Sequence, residues 1–320
     1  MPLRLDSVVP QARRFAHRAM ATEFEVFIVH TDGPYAEQAA GAAFEALDQL
    51  ERELSRYIEN SDVSRINNLD GDAPLAIGLA AFECLQQCVR IHAETGGVFD
   101  VTVGGLVDCW RRSRLEGRAP SQEELTDARR RTGMNRLELD ETRHTVRLRG
   151  GSVRVDLGGI GKGYAVDRMA AVLREWDIEQ ALINGGHSSV LALGAPPDFR
   201  GWPLTLDHPR ETRRVLGRVQ LRQRALGASG LRKGPHVIDP RTGRPLQGDR
   251  AAWCCTTTAV RADALSTAFL VMTPDEVGRY CARAADTRAL LVVDEGPPDT
   301  VRERIWQFGP WTDVALTQQA

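Results

Sequence analysis

Long apolar segments are missing from this sequence. No stretch of its 320 residues approaches the roughly 18 consecutive apolar residues that a membrane-spanning helix needs. The first twenty residues contain no apolar run of the signal-peptide type, and no cysteine near the start that a lipid could modify. These absences predict a cytoplasmic protein without a membrane anchor.

An excess of charge and a metal-binding pattern of cysteines are also missing. The formal net charge is −2, so bulk charge gives no attraction to nucleic acid. None of the six cysteines forms a Cys-x-x-Cys pair. Cys84 and Cys88 lie on one apolar helical stripe, which predicts buried core thiols. We therefore expect reduced cysteines that bind no metal.

Strand and helix patterns follow one another without a regular βαβ rhythm, which favours an α+β fold over a doubly wound sheet. Ser121 and Glu124 form a capping box that predicts the start of a helix. The other predicted helices span residues 36–54, 78–95, 164–176 and 262–272. The predicted strands lie within residues 23–30, 100–102, 136–150, 152–157, 181–194, 215–226, 253–260 and 289–293.

The sharpest local motif is VDLGGIGKGYAVD, residues 155–167. It predicts a strand, a turn with four glycines and Lys162, and then a helix. Glycines let the backbone approach a ligand closely, and a helix start offers N–H groups and a positive dipole end to an anion. The spacing matches neither a P-loop nor the dinucleotide fingerprint. It indicates a phosphate site, with a structural glycine turn as the alternative.

A second motif is ADALSTAFLVM, residues 262–272. Asp263 and Thr267 are four residues apart, so a helix presents both on one face. A carboxylate and a hydroxyl are suited to a hard cation such as Mg²⁺. The local alternative is that Asp263 only complements the dipole of its own helix.

A third motif is HVIDPRTGRPL, residues 236–246, in which His236 precedes a rigid turn. A histidine there can act as an acid or base near neutral pH, or have a purely structural role. Two polar segments, LSRYIENSDVSRIN (54–67) and FDVTVGGLVDCW (99–110), are either ordinary loops or ligand contacts. The Tyr57 ring can stack on an aromatic ligand.

Taken in order, these motifs resemble the FAD:protein FMN transferases, the ApbE family. MATEFEVF (from Met20), ALINGGHSSVLALG and ALGASG extend the resemblance over residues 16–295, nearly the whole chain. It implies an α+β fold of the T-fold-like flavin transferase architecture. It also implies a domain over residues 16–320, after an N-terminal extension of residues 1–15.

The resemblance also implies a set of site residues. Positions near the flavin or adenine of FAD correspond to Met20, Ser55, Arg56, Tyr57, Asp100 and Lys162. Magnesium ligands correspond to Asp263, Thr267 and the backbone carbonyl of Gly159. His236 corresponds to a histidine close to the pyrophosphate, and is expected to be catalytic together with Asp263 and Lys162.

The implied reaction is the magnesium-dependent transfer of FMN from FAD to a threonine or serine of an acceptor protein, with release of AMP. FAD binding without transfer, and FAD hydrolysis to FMN and AMP, are the alternatives. An acceptor motif of the Asp-x-x-Thr-x-Ala-Thr type is not evident in this chain, which argues against self-modification. The segment before His236 is shorter than in the family, and Pro235 stands where the family has serine.

Overall fold

The computed structural model describes most of the chain. The described residues are 3–5, 9–69, 71–211, 213–231, 234, 236–295 and 302–311. The chain forms two compact units. The first comprises Met1–Gln49, Lys162–Arg232 and Gly248–Ala320, and the second comprises Leu50–Gly161 and Lys233–Gln247.

Helices and strands are interspersed along the chain. The strands are β1 (Leu3–Leu5), β2 (Ala12–Ala19), β3 (Thr22–Val29), β4 (Leu75–Ala76), β5 (Leu137–Asp140), β6 (Thr145–Leu148), β7 (Ala181–Gly185), β8 (Ser189–Leu193), β9 (Trp202–Asp207), β10 (Val215–Leu221), β11 (Ala225–Gly230), β12 (Ile238–Asp239), β13 (Arg244–Pro245), β14 (Arg250–Thr256), β15 (Arg288–Glu295) and β16 (Arg302–Phe308). The α-helices are α1 (Gly33–Leu54), α2 (Asp62–Asn67), α3 (Leu79–Glu94), α4 (Gly104–Leu115), α5 (Gln122–Arg130), α6 (Gly161–Glu175), α7 (Ala259–Val271) and α8 (Pro274–Arg283). A short 3₁₀ helix spans Met134–Arg136.

The first unit is built on an eight-stranded sheet with the order β16-β15-β14-β11-β8-β7-β3-β2, in which neighbouring strands are antiparallel. Side chains alternate between its two faces. On β11, Leu226 and Ala228 join Trp253 in a hydrophobic core that also includes β9 and β10. Gly227 faces the other way, where α7 comes so close that a β-carbon would meet the Ala262 carbonyl. This close approach fixes α7 against the sheet.

The second unit contains α2 to α5, the sheet β4-β6-β5 and the hairpin β12-β13. Ser121 and Glu124 form the expected capping box at the start of α5. α4, α5 and β12 share a small hydrophobic cluster formed by Leu106, Cys109, Leu125, Ala128 and Ile238. Antiparallel sheets with packed helices confirm the α+β expectation.

Two predicted strands of the second unit are wrong. Residues 152–157 form only an isolated parallel bridge, between Arg154 and Val103, because the Asn67 side chain takes up the backbone groups of Val155. Val155 donates its N–H to Asn67 Oδ1 at 2.6 Å, and Asn67 Nδ2 donates to the Val155 carbonyl at 3.0 Å. The segment at Asp100 is a turn, because the Asp100 carboxylate accepts the N–H of Thr102 at 2.7 Å.

The predicted helix at 164–176 begins three residues earlier, at Gly161, so that Lys162 lies inside its first turn. The predicted boundary after residue 15 falls within β2 and stays a prediction. Pro235 lies outside the described residues.

All six cysteines are buried and none is in a disulfide, and the burial predicted for Cys84 and Cys88 is confirmed. Burial raises the pKa of the Cys88 thiol well above its ordinary value, so it stays protonated and unreactive. Among the described residues, no helix is both long and apolar enough to cross a membrane. The cytoplasmic location stays a prediction.

Candidate functional site

Lys162 and Asp263 come from two separate motifs and lie side by side in the first unit. α6 carries Lys162 in its first turn, and α7 carries Asp263 one turn from its start. Lys162 Nζ is 3.8 Å from Asp263 Oδ2. Asp263 is only 2% exposed, whereas the lysine side chain is 25% exposed. A carboxylate buried beside a partly exposed cation makes this pair the candidate functional site of the first unit.

Asp263 also binds the helix start next to it. Its Oδ2 accepts the N–H of Gly163 at 2.9 Å, so this amide of the glycine turn is already occupied. The alternative in which Asp263 complements the dipole of its own helix is wrong, because the first turn of α7 contains no acidic residue and Asp263 lies beyond it. Asp167 accepts the N–H groups of Ala259 and Val260, the first two residues of α7, at 2.8 Å each.

Gly163 is required by close approach and not by a special backbone angle. A β-carbon at this position would overlap the Ala259 carbonyl and would lie 2.7 Å from Asp263 Cβ. The glycine that follows Lys162 therefore lets α6 and α7 touch through their backbones. Gly163 therefore has a structural role, and the same close contact places Lys162 and Asp263 side by side.

Thr267 belongs to a cluster of hydroxyls beside Asp263. Its Oγ1 lies 3.0 Å from Ser229 Oγ, which is also 2.9 Å from Ser266 Oγ. Ser266 and Thr267 both donate to the Asp263 carbonyl, at 2.8 and 3.3 Å. Because Thr267 donates its proton to the Asp263 carbonyl, its oxygen keeps lone pairs for a ligand. Sequence reasoning missed Ser229 and Ser266, although strand alternation places Ser229 on the same face of β11 as Gly227.

Burial raises the pKa of the Asp167 carboxyl to about 6, despite the opposing effects of the two N–H groups that it accepts and of the Arg174 charge. A carboxylate that stays ionised at neutral pH under these conditions costs stability. Sequence reasoning missed this residue as well, although it ends the glycine motif.

We expect the wild-type protein to gain stability relative to Asp167→Asn as the pH falls from 7 to 5. The native pKa lies above the ordinary value of 3.8, so the native state takes up a proton before the unfolded chain does. The free energy of unfolding should rise by on the order of 1 kcal/mol over this range, and asparagine cannot titrate. Urea unfolding of both proteins at both pH values measures this. A stability difference that does not change with pH would contradict it.

Arg56 is held between two carboxylates in the second unit. It donates to Asp108 and to Asp156, each at 2.6 Å. Burial is the largest single contribution and lowers the pKa of Arg56. The two carboxylate partners together outweigh it, so the pKa lies above its ordinary value. The guanidinium lies over the Tyr57 ring, 5.6 Å from its centre, and Tyr57 is 77% exposed. An exposed ring on a fixed support is suited to stacking.

The other predicted contacts of the second unit are anchored in turns. The carbonyl of Ser55 accepts the Ser61 hydroxyl at 2.6 Å, which fixes the loop before α2. Asp100 lines a cavity of about 420 Å³ together with Gly97, Gly133 and Arg241, among others. Both positions are held by local hydrogen bonds, and their role toward FAD stays a prediction.

His236 and Gly159 also lie in the second unit. His236 is exposed, and its Nδ1 lies 2.7 Å from the Gly234 carbonyl. A carbonyl only accepts, so Nδ1 carries the proton of the neutral ring and Nε2 is the nitrogen available as a base. Gly159 lies in the tight turn before α6, where the Ile160 and Gly161 amides donate to the Leu157 carbonyl at 3.0 and 2.7 Å.

Met20 lies in the first unit at the tip of the hairpin between β2 and β3. Ala19 pairs with Thr22, so Met20 and Ala21 alone form the turn. Both have positive φ, 50° and 57°, which a two-residue turn of this kind normally assigns to Asn-Gly. Strain of this type is concentrated at functional positions.

We expect the double variant Met20→Asn/Ala21→Gly to be more stable and to bind FAD more weakly. Relief of two left-handed residues should add roughly 1–2 kcal/mol to the free energy of unfolding, while removing the side chain that the resemblance places near the flavin. Denaturant unfolding and FAD fluorescence titration measure the two effects. Ala21→Gly is the matched control, because it relieves strain but keeps Met20. Unchanged FAD affinity in the double variant would remove Met20 from the site.

A separate ionic cluster in the first unit has a structural role. Among the described residues, His208, Glu211 and Glu303 form the group with metal-ligand geometry. However, Glu303 accepts hydrogen bonds from Arg210 and Arg214, at 2.8 Å each, and the Glu211 N–H donates to His208 Nδ1 at 3.0 Å. Two guanidinium groups would repel a cation, so the cluster ties the β9–β10 connection to β16.

Comparison with known proteins accounts for these motifs together. A family model described as the ApbE family matches residues 20–291. The FAD:protein FMN transferase of Escherichia coli (strain K12) is 26% identical, with 78% of this chain and 75% of that protein covered. The FAD:protein FMN transferase of Vibrio cholerae serotype O1 is 28% identical, with 78% of each covered.

Solved structures agree with this match. The Pseudomonas stutzeri flavinyl transferase ApbE, apo form, is 26% identical, with a TM-score of 0.81 over 93% of this chain and 94% of that chain. The flavin transferase ApbE from Vibrio cholerae, at 24% identity, shows the same fold with a TM-score of 0.80 over 95% of this chain and 97% of that chain. Because the family model spans most of the sequence, this chain belongs to the ApbE family.

Proposed function

We propose that this protein transfers the FMN part of FAD to a threonine or serine hydroxyl of an acceptor protein and releases AMP. The observation that carries the proposal is the buried Asp263 beside Lys162 at the start of α6. Curated relatives named FAD:protein FMN transferase support the same reaction.

Asp263 and Thr267 fit a magnesium ion by the chemistry of their oxygen donors. Mg²⁺ is usually held by one or two carboxylates and keeps positions for water and substrate phosphates. When bound, it would draw charge from the pyrophosphate and stabilise the AMP leaving group. The Gly159 carbonyl stays a predicted further ligand.

Other residues of the chain have roles that follow from their surroundings. Lys162 offsets phosphate charge from a partly exposed position. Tyr57 offers an exposed ring for stacking, while the Arg56 guanidinium, fixed by two carboxylates, supports one face of that ring. His236 Nε2 accepts the proton of the attacking hydroxyl.

The test is incubation with FAD, Mg²⁺ and a peptide carrying the Asp-x-x-Thr-x-Ala-Thr motif. We expect the peptide to gain one FMN by mass and an equal amount of AMP to appear. A peptide with alanine in place of both threonines should gain nothing. Omission of Mg²⁺ should prevent both products.

The outcomes separate the alternatives. AMP and free FMN without peptide modification would indicate hydrolysis of FAD by water at the same site. Tight FAD binding without AMP would indicate a flavin-binding protein, and would refute the proposed transfer.

A further inference from the structure

The starts of α6 and α7 are capped by each other. Asp263 of α7 binds the Gly163 amide of α6, and Asp167 of α6 binds the Ala259 and Val260 amides of α7. The contact positions within each helix are three or four residues from its carboxylate, and so lie on one face. The exchange joins the helix that carries Lys162 to the helix that carries Asp263.

α7 does not use the local cap that its own sequence provides. Thr258 is its N-cap residue, with φ −127° and ψ 149°, a position at which a threonine side chain usually accepts an N–H from the first turn. Here the Thr258 side chain makes no capping bond, and its Oγ1 is buried without a hydrogen-bond partner within the described part of the chain.

The replacement of a local cap by a distant carboxylate needs an explanation. Capping alone would be achieved by Thr258, without a half-buried carboxylate. Asp167 does one thing that Thr258 cannot do, because it ties the start of α7 to α6. Gly163 acts in the same direction, since the absence of a β-carbon lets the two helices touch.

We propose that Asp167 is a positioning residue for the reaction. It fixes the start of α7 on α6, so that the Asp263 carboxylate stays at the Gly163 amide and beside Lys162. This inference rests on the proposed function, in which Lys162 acts at the pyrophosphate and Asp263 holds the cation.

The test uses a cap exchange. Asp167→Ala removes both acceptor oxygens and with them the tether, Thr258→Asp strengthens the local cap of α7, and the double variant Asp167→Ala/Thr258→Asp has a capped but untethered α7. We expect the double variant to regain most of the melting temperature that Asp167→Ala loses. Its turnover of FAD should stay at least about 10-fold low, since residues that orient metal ligands typically contribute 10–100-fold.

A readout other than activity is the binding of Mn²⁺, used as a paramagnetic probe for the Mg²⁺ position in the presence of FAD. We expect its dissociation constant to rise by about 10-fold in the double variant and to be unchanged in Thr258→Asp. If the double variant regains melting temperature, turnover and Mn²⁺ affinity together, Asp167 is only a helix cap and the proposal is overturned.

Amide exchange separates this inference from the proposed function. If the wild-type protein neither cleaves FAD nor binds Mn²⁺, the proposed function fails, and the tether is still tested. In that case we expect the Gly163 amide to exchange faster in the double variant than in the wild type or in Thr258→Asp. Equal protection in all three proteins would show that Asp167 does not hold Asp263 in place.

Discussion

Asp263→Asn is expected to cut turnover of FAD by at least about 100-fold, or roughly 2.7 kcal/mol of barrier. The substitution keeps the size of the side chain but removes the charge that would hold the cation. An amide oxygen still reaches the Gly163 N–H, which the carboxylate now accepts at 2.9 Å. Stability should therefore change little, because a weaker hydrogen bond is offset by relief of a buried charge.

Two control variants isolate the effect of charge. Asp263→Ala removes the acceptor as well, so the buried Gly163 amide would lose its partner at a cost of about 1–3 kcal/mol. Asp275 lies exposed in the first turn of α8, where a carboxylate only complements the helix dipole. Asp275→Asn should cost about 0.3–1 kcal/mol of stability and leave turnover intact.

Turnover with and without Mg²⁺, together with chemical unfolding of each variant, measures these expectations. Full magnesium-dependent turnover in Asp263→Asn would remove this residue from the proposed cation site. If Asp263→Asn loses turnover because it unfolds, the loss does not come from the missing charge alone. Asp263→Ala would then lose even more stability.

Local patterns in the sequence predict the elements whose stabilising contacts are also local. The hairpin of β5 and β6 and the capping box of α5 depend on residues a few positions apart, and both are confirmed. The wrong strand at residues 152–157 has the opposite cause. Its hydrogen bonds go to the backbone of residues 101–104 and to the side chain of Asn67, and no periodicity in residues 152–157 can indicate those partners.

The candidate site follows the same rule. Asp263 and Lys162 are each visible as a motif, yet only the tertiary structure shows that they adjoin and that Gly163 joins their helices. Asp167 is the last residue of the glycine motif at residues 155–167. However, a carboxylate in the second turn of a helix is ordinarily solvated, and nothing in its spacing shows that it caps α7.

Gly163→Ala is expected to lower both stability and turnover, although alanine normally favours a helix by about 1 kcal/mol over glycine. The new β-carbon would overlap the Ala259 carbonyl and lie 2.7 Å from Asp263 Cβ, so the backbones of α6 and α7 must separate. Overpacking of this kind costs about 1–3 kcal/mol or more, and it would pull the Gly163 amide away from the Asp263 carboxylate.

Gly161→Ala is the matched control for that substitution. It lies two residues earlier in the same helix, and its new β-carbon would meet only Leu157 Cβ, at an ordinary 3.7 Å. We expect it to be neutral or to stabilise by up to about 1 kcal/mol with turnover retained. Calorimetry and FAD turnover on the two variants decide the matter. If Gly163→Ala is as stable and active as Gly161→Ala, then α6 and α7 have room to separate, and the close contact at Gly163 is not what holds Asp263 beside Lys162.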